Sequence, residues 1–378
     1  MSTSPPRQVG GRPRSNGNPR LPSNQSSSIR SSATTSKPPS TESRPSRKGV
    51  RWGRIFLILI GFMAILGFSG LACGLYFADS LDKRLHRTDA FDQITGGRPT
   101  KLVNGAMNVL IIGSDSRAPG EDPGVNGDRS DSLMIAHLDR NHGKAYLVSI
   151  PRDLWVSVPR DSAGNGGQKA KINAASAWGG IPLTVRTVEL LTDVRIDHIV
   201  KIDFGGFKRM TDALGGVDVA VKQTVTDPRS KRTFTQGMNH LDGAAALDYV
   251  RQRYGLPRGD FDRIVRQHIF LRALLQKATD TGTLTSPGKM KSFLEATADT
   301  VTVDRKFSLP DTAVQLRKIR SDDVSFITMP VSGSQNIDGQ SVVISDRVAA
   351  GKLFGSVAQD DVAGWLRNNP ASSAAIGN

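Results

Sequence analysis

The chain has 378 residues and a formal net charge of +15, from 50 Lys and Arg against 35 Asp and Glu, with 38% hydrophobic residues, 6% aromatic residues and one Cys. That length allows one sizeable domain with appendages or two modest ones, and a single cysteine can neither close an intramolecular disulfide nor build a structural zinc site, so a stapled mini-scaffold is excluded. The positive excess calls for an anionic partner, which is nucleic acid, a membrane surface or a phosphorylated substrate, and the total does not choose among them.

Residues 1–54 hold eleven Lys or Arg and one acid, Glu42, among Ser, Pro, Gly and Asn. With no apolar periodicity, burial offers nothing to offset the entropy of ordering, which predicts a disordered basic arm. Residues 55–77 (IFLILIGFMAILGFSGLACGLYF) carry no charge, over a length that crosses a bilayer core as a helix. A cleaved signal peptide has a short n-region, and Gly70-Leu71-Ala72-Cys73 lacks the apolar residue of a lipobox, so the segment reads as a retained transmembrane helix. Its cationic flank predicts a cytoplasmic arm and an extracytoplasmic remainder, hence a single-pass protein of the cell membrane. Eleven basic residues less one acid put most of the net charge in that arm, where it sets topology, and nucleic acid loses its support as a partner.

Residues 78–107 read as a juxtamembrane stalk, because 79–101 alternate charge with few apolar positions. Packed structure is expected from Asn108, as a domain over 108–330, followed by a C-terminal segment over 331–378 whose small, polar end frays. Short apolar runs bounded by Gly, Asp and Asn predict strands at 108–113, 132–138, 144–150, 198–203, 217–221 and 324–329. Helical patterns cover 181–192, opened by Gly-Gly and Pro182, then 204–214, 243–252, 260–278, 287–300 and 309–319. Strands mixed with helices throughout indicate an α/β sandwich with a mixed sheet, and no internal repeat is present.

The polar turn at 139–143 pairs the second and third strands antiparallel and sets Asp131 opposite Pro151, with Arg152 beside it. With the first strand antiparallel to the second, Asp115, Arg117, Asp131, Arg129 and Arg152 converge on one rim. The alternative is a solvated loop edge whose salt bridges are each worth little. A second cluster, Arg251, Arg253, Arg258, Asp260, Arg263 and Arg266, crowds into residues 249–267. On a helix from Asp260, at about 100° per residue, Arg263, Arg266 and Gln267 fall beside it within an arc of about 120°, next to an apolar face of Phe261, Ile264, Val265, Leu271 and Leu275. Guanidinium groups this dense repel one another unless an anion lies between them, and phosphate best matches their planar fork.

Two carboxylates with several Arg suit phosphoryl transfer, in which Mg²⁺ is held by carboxylates and substrate oxygens. A glycosidase has no use for the arginine cluster. H-E-x-x-H, G-x-S-x-G and G-x-x-x-x-G-K-[ST] patterns are absent, and the six His are scattered. Outside a membrane, where ATP is scarce, the energy of a transfer has to reside in the substrate, as in a lipid pyrophosphate.

The stretches NVLIIGSDSR, GDRSDSLMIAHLD, YLVSIPRDLWV, KINAASAWGG, GGVDVAV, LDGAAALDYVRQRY and GDFDRIVRQHIFL, in that order from Asn108 to about Ala278, resemble the LytR-CpsA-Psr family of cell-envelope enzymes. The resemblance implies a three-layer α/β/α fold with a hydrophobic tunnel for a polyprenyl chain. It also implies transfer of a glycopolymer, as its sugar phosphate, from a polyprenyl pyrophosphate carrier to a peptidoglycan hydroxyl. By the same resemblance Asp115 and Asp131 associate with Mg²⁺, or Mn²⁺ in its place. Arg129, Arg152, Arg251, Arg253, Arg263 and Arg266 bind or stabilise the pyrophosphate, with Asp260 and Gln267 in support. Asp153 orients Arg152 or assists the acceptor, so that Arg152, Asp153, Arg251 and Arg253 form the expected catalytic set. The chain departs from the family at His268, where members often carry a second Gln, at residues 174–177 and at Leu154. Abundant Gly and Ala with a basic Ser-Pro arm suggest an actinobacterial envelope, with arabinogalactan or a capsule as the glycopolymer. The competing readings are a lipid pyrophosphatase, with water as acceptor, and a non-catalytic envelope regulator with a basic cytoplasmic tail.

Overall fold

The computed structural model describes residues 79–94, 96–114, 130–279 and 287–374. The basic arm, the expected span at 55–77, Asp115, Arg117 and Arg129 lie outside the described residues. Among those described, no helix is long and apolar enough to cross a membrane.

Seven strands build one sheet: β1 (His86–Thr88), β2 (Met107–Ser114), β3 (Ser130–Leu138), β4 (Ala145–Ile150), β5 (His198–Asp203), β6 (Val301–Asp304) and β7 (Val324–Thr328). Their spatial order is β1-β6-β5-β2-β3-β4-β7. β2, β3 and β4 form an antiparallel meander. The turn between β3 and β4 is held by Asp139, whose Oδ1 accepts from the backbone N–H groups of Gly143 (2.7 Å) and Lys144 (2.9 Å). β5 runs parallel to β2, and β7 parallel to β4, so the sheet is mixed as expected.

The main helices are α1 (Ala174–Thr192), α2 (Phe204–Ala213), α3 (Gly243–Arg251), α4 (Asp260–Thr279), α5 (Pro287–Ala298), α6 (Leu309–Leu316) and α7 (Arg347–Ala358). Side chains alternate across a strand, so Leu110 and Ile112 of β2 face one side of the sheet and Val109 and Ile111 the other. The first side packs against Leu183 and Val188 of α1 and Leu353 and Phe354 of α7. The second packs against Leu271 and Leu275 of α4. Helices cover both faces, which is the three-layer arrangement, and each fully buried aliphatic side chain contributes ~1.5–3 kcal/mol.

Several boundaries differ from the sequence reading. The stretch 79–107 is part of the domain rather than a stalk: Leu81 and Leu85 are buried against Val301, Val303 and Phe307, and β1 adds to the sheet edge beside β6. Strands of three and four residues are too short to show alternation, which hid both. The C-terminal segment also belongs to the same core, because Val343, Leu353, Phe354, Val357 and Val362 join the cluster around Leu110. Gly179 and Gly180 are non-helical and divide α1 at a kink, so its 181–192 part opens after Gly-Gly as expected, with an additional helical stretch before it; Gly180 has φ 62 and ψ −151, a conformation open to glycine, and Pro182 stands in the first turn that follows. α6 ends at Leu316, three residues short of the expected 319.

Candidate functional site

β2 and β5 end together, with Ser114 paired to Asp203, and β4 ends at Ile150 opposite Leu133 of β3. In an open α/β sheet the rim at the carboxyl ends of parallel strands is where loops leave a crevice for ligands. Continuing the β3–β4 register beyond Leu133 sets Asp131 opposite Arg152, one residue from the expected Pro151. Backbone bonds fix the Pro-Arg-Asp turn: Leu154 N–H donates to the Pro151 carbonyl (3.1 Å), and Asn173 N–H donates to that of Arg152 (3.2 Å). Leu154 is fully buried and anchors the turn.

Arg152 Nη1 donates to Asp131 Oδ1 at 2.6 Å, and its Nη2 lies 3.5 Å from Asp260 Oδ1. α4 delivers Asp260 at its first turn, where the helix dipole favours an acid, and Arg263 one turn later. Arg263 Nη2 donates to Asp260 Oδ2 (2.9 Å) and to the backbone carbonyl of Asp131 (3.2 Å). Asp131, Arg152, Asp260 and Arg263 therefore close into one cluster, with side-chain exposures of 14% for Arg152 and 5% for Arg263. Burial opposes the charge on Arg152, but Asp260, Asp131 and Asp153 outweigh it and raise its pKa. Burial and then repulsion from Arg152 lower that of Arg263.

The two guanidiniums share an unmet need. Nε of Arg152 and Nε of Arg263 are both buried with no hydrogen-bond acceptor among the described residues, and Asp260 Oδ1 accepts no hydrogen bond. A buried donor without an acceptor costs ~1–3 kcal/mol. A tetrahedral oxyanion presents acceptors in the geometry that two Arg forks require.

The remaining predicted residues spread around this centre. Gln267 Nε2 donates to Ser132 Oγ (2.9 Å) and to the Val250 carbonyl (3.3 Å), tying α4 to β3 and α3. Asp153 lies between Lys171 Nζ (3.2 Å) and Arg152 Nε (3.8 Å). Arg266 is not brought against Asp131 or Arg152: its guanidinium lies over the rings of Tyr249 (4.5 Å) and Phe234 (5.4 Å) and donates to Gln252 Oε1. Arg251 stacks on Phe204 (4.3 Å) and Arg253 on Tyr254 (4.7 Å). Arg258, exposed just before α4, pairs with Asp262 of its first turn (2.7 Å). Lys171, Ser132 and Gln252 escaped the sequence reading; the available signal for Lys171 was its place at the head of KINAA, one residue before the buried Ile172.

Five of the histidines have partners outside the cluster: His137, His142, His240, His198 with Asp304 (3.0 Å) and His268 with Ser149 (2.6 Å). No group of three or more His, Cys, Asp or Glu suited to a metal occurs among the described residues. Mg²⁺ needs only one or two carboxylates when phosphate oxygens supply other positions. Asp131 and the Asp260 oxygen that accepts no hydrogen bond fit that donor chemistry.

On the α4 side of the sheet, Val200, Ile111, Ala136 and Leu147 sit on interior strands yet are only half-buried, as are Leu271 and Leu275 above them. Along the same face this apolar row reaches Gly113 and Ser132, which pair at the rim beside Asp131. The charged cluster thus stands at one end of an incompletely covered apolar strip.

The profile of the LytR_cpsA_psr family matches residues 78–357. A probable cell wall biosynthesis protein, LcpB of Corynebacterium glutamicum, is 37% identical over 308 residues, covering 78% of this chain and 70% of the relative. A polyisoprenyl-teichoic acid–peptidoglycan teichoic acid transferase, TagU of Bacillus cereus, is 30% identical, covering 76% of this chain and 90% of the relative. Among solved structures, B. subtilis TagV superposes with a TM-score of 0.56 at 27% identity, covering 69% of this chain and 98% of that one.

Proposed function

The chain belongs to the LytR_cpsA_psr family, and we propose that it is a membrane-anchored phosphotransferase that moves a glycopolymer, as its sugar phosphate, from a polyprenyl pyrophosphate carrier to a peptidoglycan hydroxyl outside the cell membrane. The observation that carries this reading is the pair of buried Nε–H donors on Arg152 and Arg263, without acceptors among the described residues, beside Asp131 and Asp260. A pyrophosphate bound there meets both forks, while its prenyl chain lies along the half-buried strip of Ile111, Val200 and Leu271.

The acceptor hydroxyl attacks the phosphorus that bears the sugar; a new P–O bond forms, the bond to prenyl phosphate breaks, and prenyl phosphate leaves with the hydroxyl proton as its monoanion. Charge spreads over the phosphoryl oxygens in that transition state, and preorganised guanidiniums stabilise it without reorganising. Arg152 is held for this role by Asp131 and Asp260, and Asp153 with Lys171 sets its Nε side. Asp131 and Asp260, joined by Asp115, would hold Mg²⁺ or Mn²⁺, which supplies further neutralisation of phosphate charge when bound. The energy of the transfer resides in the pyrophosphate, so no nucleotide is required.

The test is a transfer assay with the full chain in detergent, a prenyl pyrophosphate-linked oligosaccharide and peptidoglycan. Glycan attached to peptidoglycan together with released prenyl phosphate supports the reading. Release into water alone makes the chain a pyrophosphatase, and absence of turnover overturns both.

A further inference from the structure

α6 exposes two large apolar side chains, Val314 at 55% and Leu316 at 41%, and three exposed cations follow, Arg317, Lys318 and Arg320. Over 317–322 these cations stand against one acid, Asp322. The next acid, Asp323, is already engaged by Lys144 Nζ (2.7 Å) and the backbone N–H of Arg320 (3.1 Å). Two connections fix where this face lies. At the start of α6 the backbone N–H of Leu309 donates to Asp82 Oδ1 (3.0 Å). Asp82 is five residues beyond Phe77, the last residue of the uncharged segment, and five residues reach at most ~18 Å, which keeps the start of α6 near the end of the expected span. Beyond the end of α6, Ile319 N–H donates to the Leu316 carbonyl (2.9 Å), and Ile319 is buried in one cluster with Met107, Ala145 and Val324. Met107 and Gly113 stand toward opposite ends of β2, ~20 Å apart, so Ile319 marks the end of the apolar strip farthest from Asp131.

We propose that the exposed end of α6, with Arg317, Lys318 and Arg320, is a docking surface that seats the domain on the outer leaflet of the membrane, its apolar side chains in the lipid interface and its cations at anionic headgroups. The inference rests on the membrane anchor of the function proposed above. Water rewards exposed cations but not exposed Val and Leu, whereas an anionic lipid surface takes both. The bilayer is the occupant because the chain itself tethers the start of α6 beside it and because the apolar strip ends next to the same helix. Seated in this way, the far end of the strip opens at the leaflet. A prenyl chain then passes from lipid into the strip without crossing water, and the charged cluster stands ~20 Å further out, toward the acceptor.

The experiment attaches a bimane fluorophore at Val314→Cys, Leu316→Cys or Val348→Cys of the full chain, in a Cys73→Ser background that removes the one native cysteine. Each is reconstituted into vesicles of equal parts phosphatidylcholine and phosphatidylglycerol that carry a headgroup spin-labelled lipid as quencher. Val348, 70% exposed on α7 across the sheet, is the reference. Quenching at 314 and 316 is expected to exceed that at 348 by roughly threefold or more, and to fall by about half when Arg317→Gln, Lys318→Gln and Arg320→Gln are combined. Quenching no stronger than at 348 overturns the docking surface, and so does quenching indifferent to the three Gln replacements, which leaves no part for anionic headgroups. Shielding from an aqueous quencher without quenching by the lipid label assigns the face to a second copy of the chain and overturns it too. Carbonate washing of the same vesicles reads the anchor separately. A chain that washes off fails the membrane-anchored reading, and the docking surface falls with it; a chain that stays but shows equal quenching at all three positions sinks the docking surface alone. Because Val314 and Leu316 are exposed, none of these changes removes a core side chain.

Discussion

Arg152 and Asp131 meet at 2.6 Å across the open end of the β3–β4 hairpin, and the same guanidinium reaches Asp260 on α4. This one residue joins the sheet to the helix that carries Arg263. Arg152→Ala leaves carboxylate charge without its partner in a largely buried setting and is expected to cost about 2–4 kcal/mol of stability. It also lowers transfer by ~10²–10³, the usual effect of deleting one transition-state donor. Arg152→Lys keeps the charge but not the fork, so stability recovers more than rate does. Denaturant unfolding beside the transfer assay separates the two effects.

Lys171 positions Asp153 at 3.2 Å and touches neither Arg152 nor Arg263 in a direct bond. Lys171→Met is expected to slow transfer by up to about tenfold, or ~1.4 kcal/mol, because Asp153 loses its ion-pair partner beside Arg152. Lys171→Arg restores most of it. A merely structural lysine would change the unfolding midpoint and leave the rate per folded molecule alone.

Arg98 grips Glu189 through Nε and Nη2, and Glu189 also accepts from the backbone N–H of Ile196. Its side chain is 3% exposed, so Arg98→Ala strands a buried carboxylate and is expected to cost ~3 kcal/mol in chemical denaturation. The transfer rate of the folded fraction stays as it was, because this pair stands apart from Arg152 and Arg263. The result checks that residues 79–107 are integral to the domain.

His268 is buried against Ser149, and burial, with Arg272 adding repulsion, pushes its pKa down to about 4. The unfolded chain takes up that proton near 6.5 and the folded chain does not, so the unfolded state binds more protons between those values. Its contribution is complete above pH 6.5 and is lost as pH falls toward 4, by roughly 3 kcal/mol. Buried His137 acts in the same direction, against the pull of Asp360. Unfolding titrations of His268→Gln from pH 7 to 4 are expected to show a shallower loss than the unaltered chain.

The meander is legible in the sequence because a polar turn at 139–143 and two apolar runs leave one register, and that register sets Arg152 beside Asp131. The arc of Asp260, Arg263 and Gln267 followed from helical periodicity in the same way. Arg266 shows where periodicity stops: three residues after Arg263, it shares that residue's face by helical spacing, yet Tyr249 and Phe234 draw it into a different apolar cluster. Whether a guanidinium faces an anion or a ring depends on helices that meet only in the fold. β1 and β6 escape because strands of three and four residues carry no period, and Arg98 escapes because Glu189 lies 91 residues away in the chain. Lys171 reads as an ordinary surface lysine in the sequence, and only its pairing with Trp155 in a two-stranded ribbon brings it to the site.

The most direct test of the site is the nuclear magnetic resonance of arginine Nε–H groups, assigned with Arg152→Lys and Arg263→Lys, as farnesyl pyrophosphate is added to the full chain. Both Nε–H donors lack acceptors among the described residues, so both proton resonances are expected to move downfield together as phosphate oxygens accept from them. Binding of the ligand with neither resonance displaced would contradict the account.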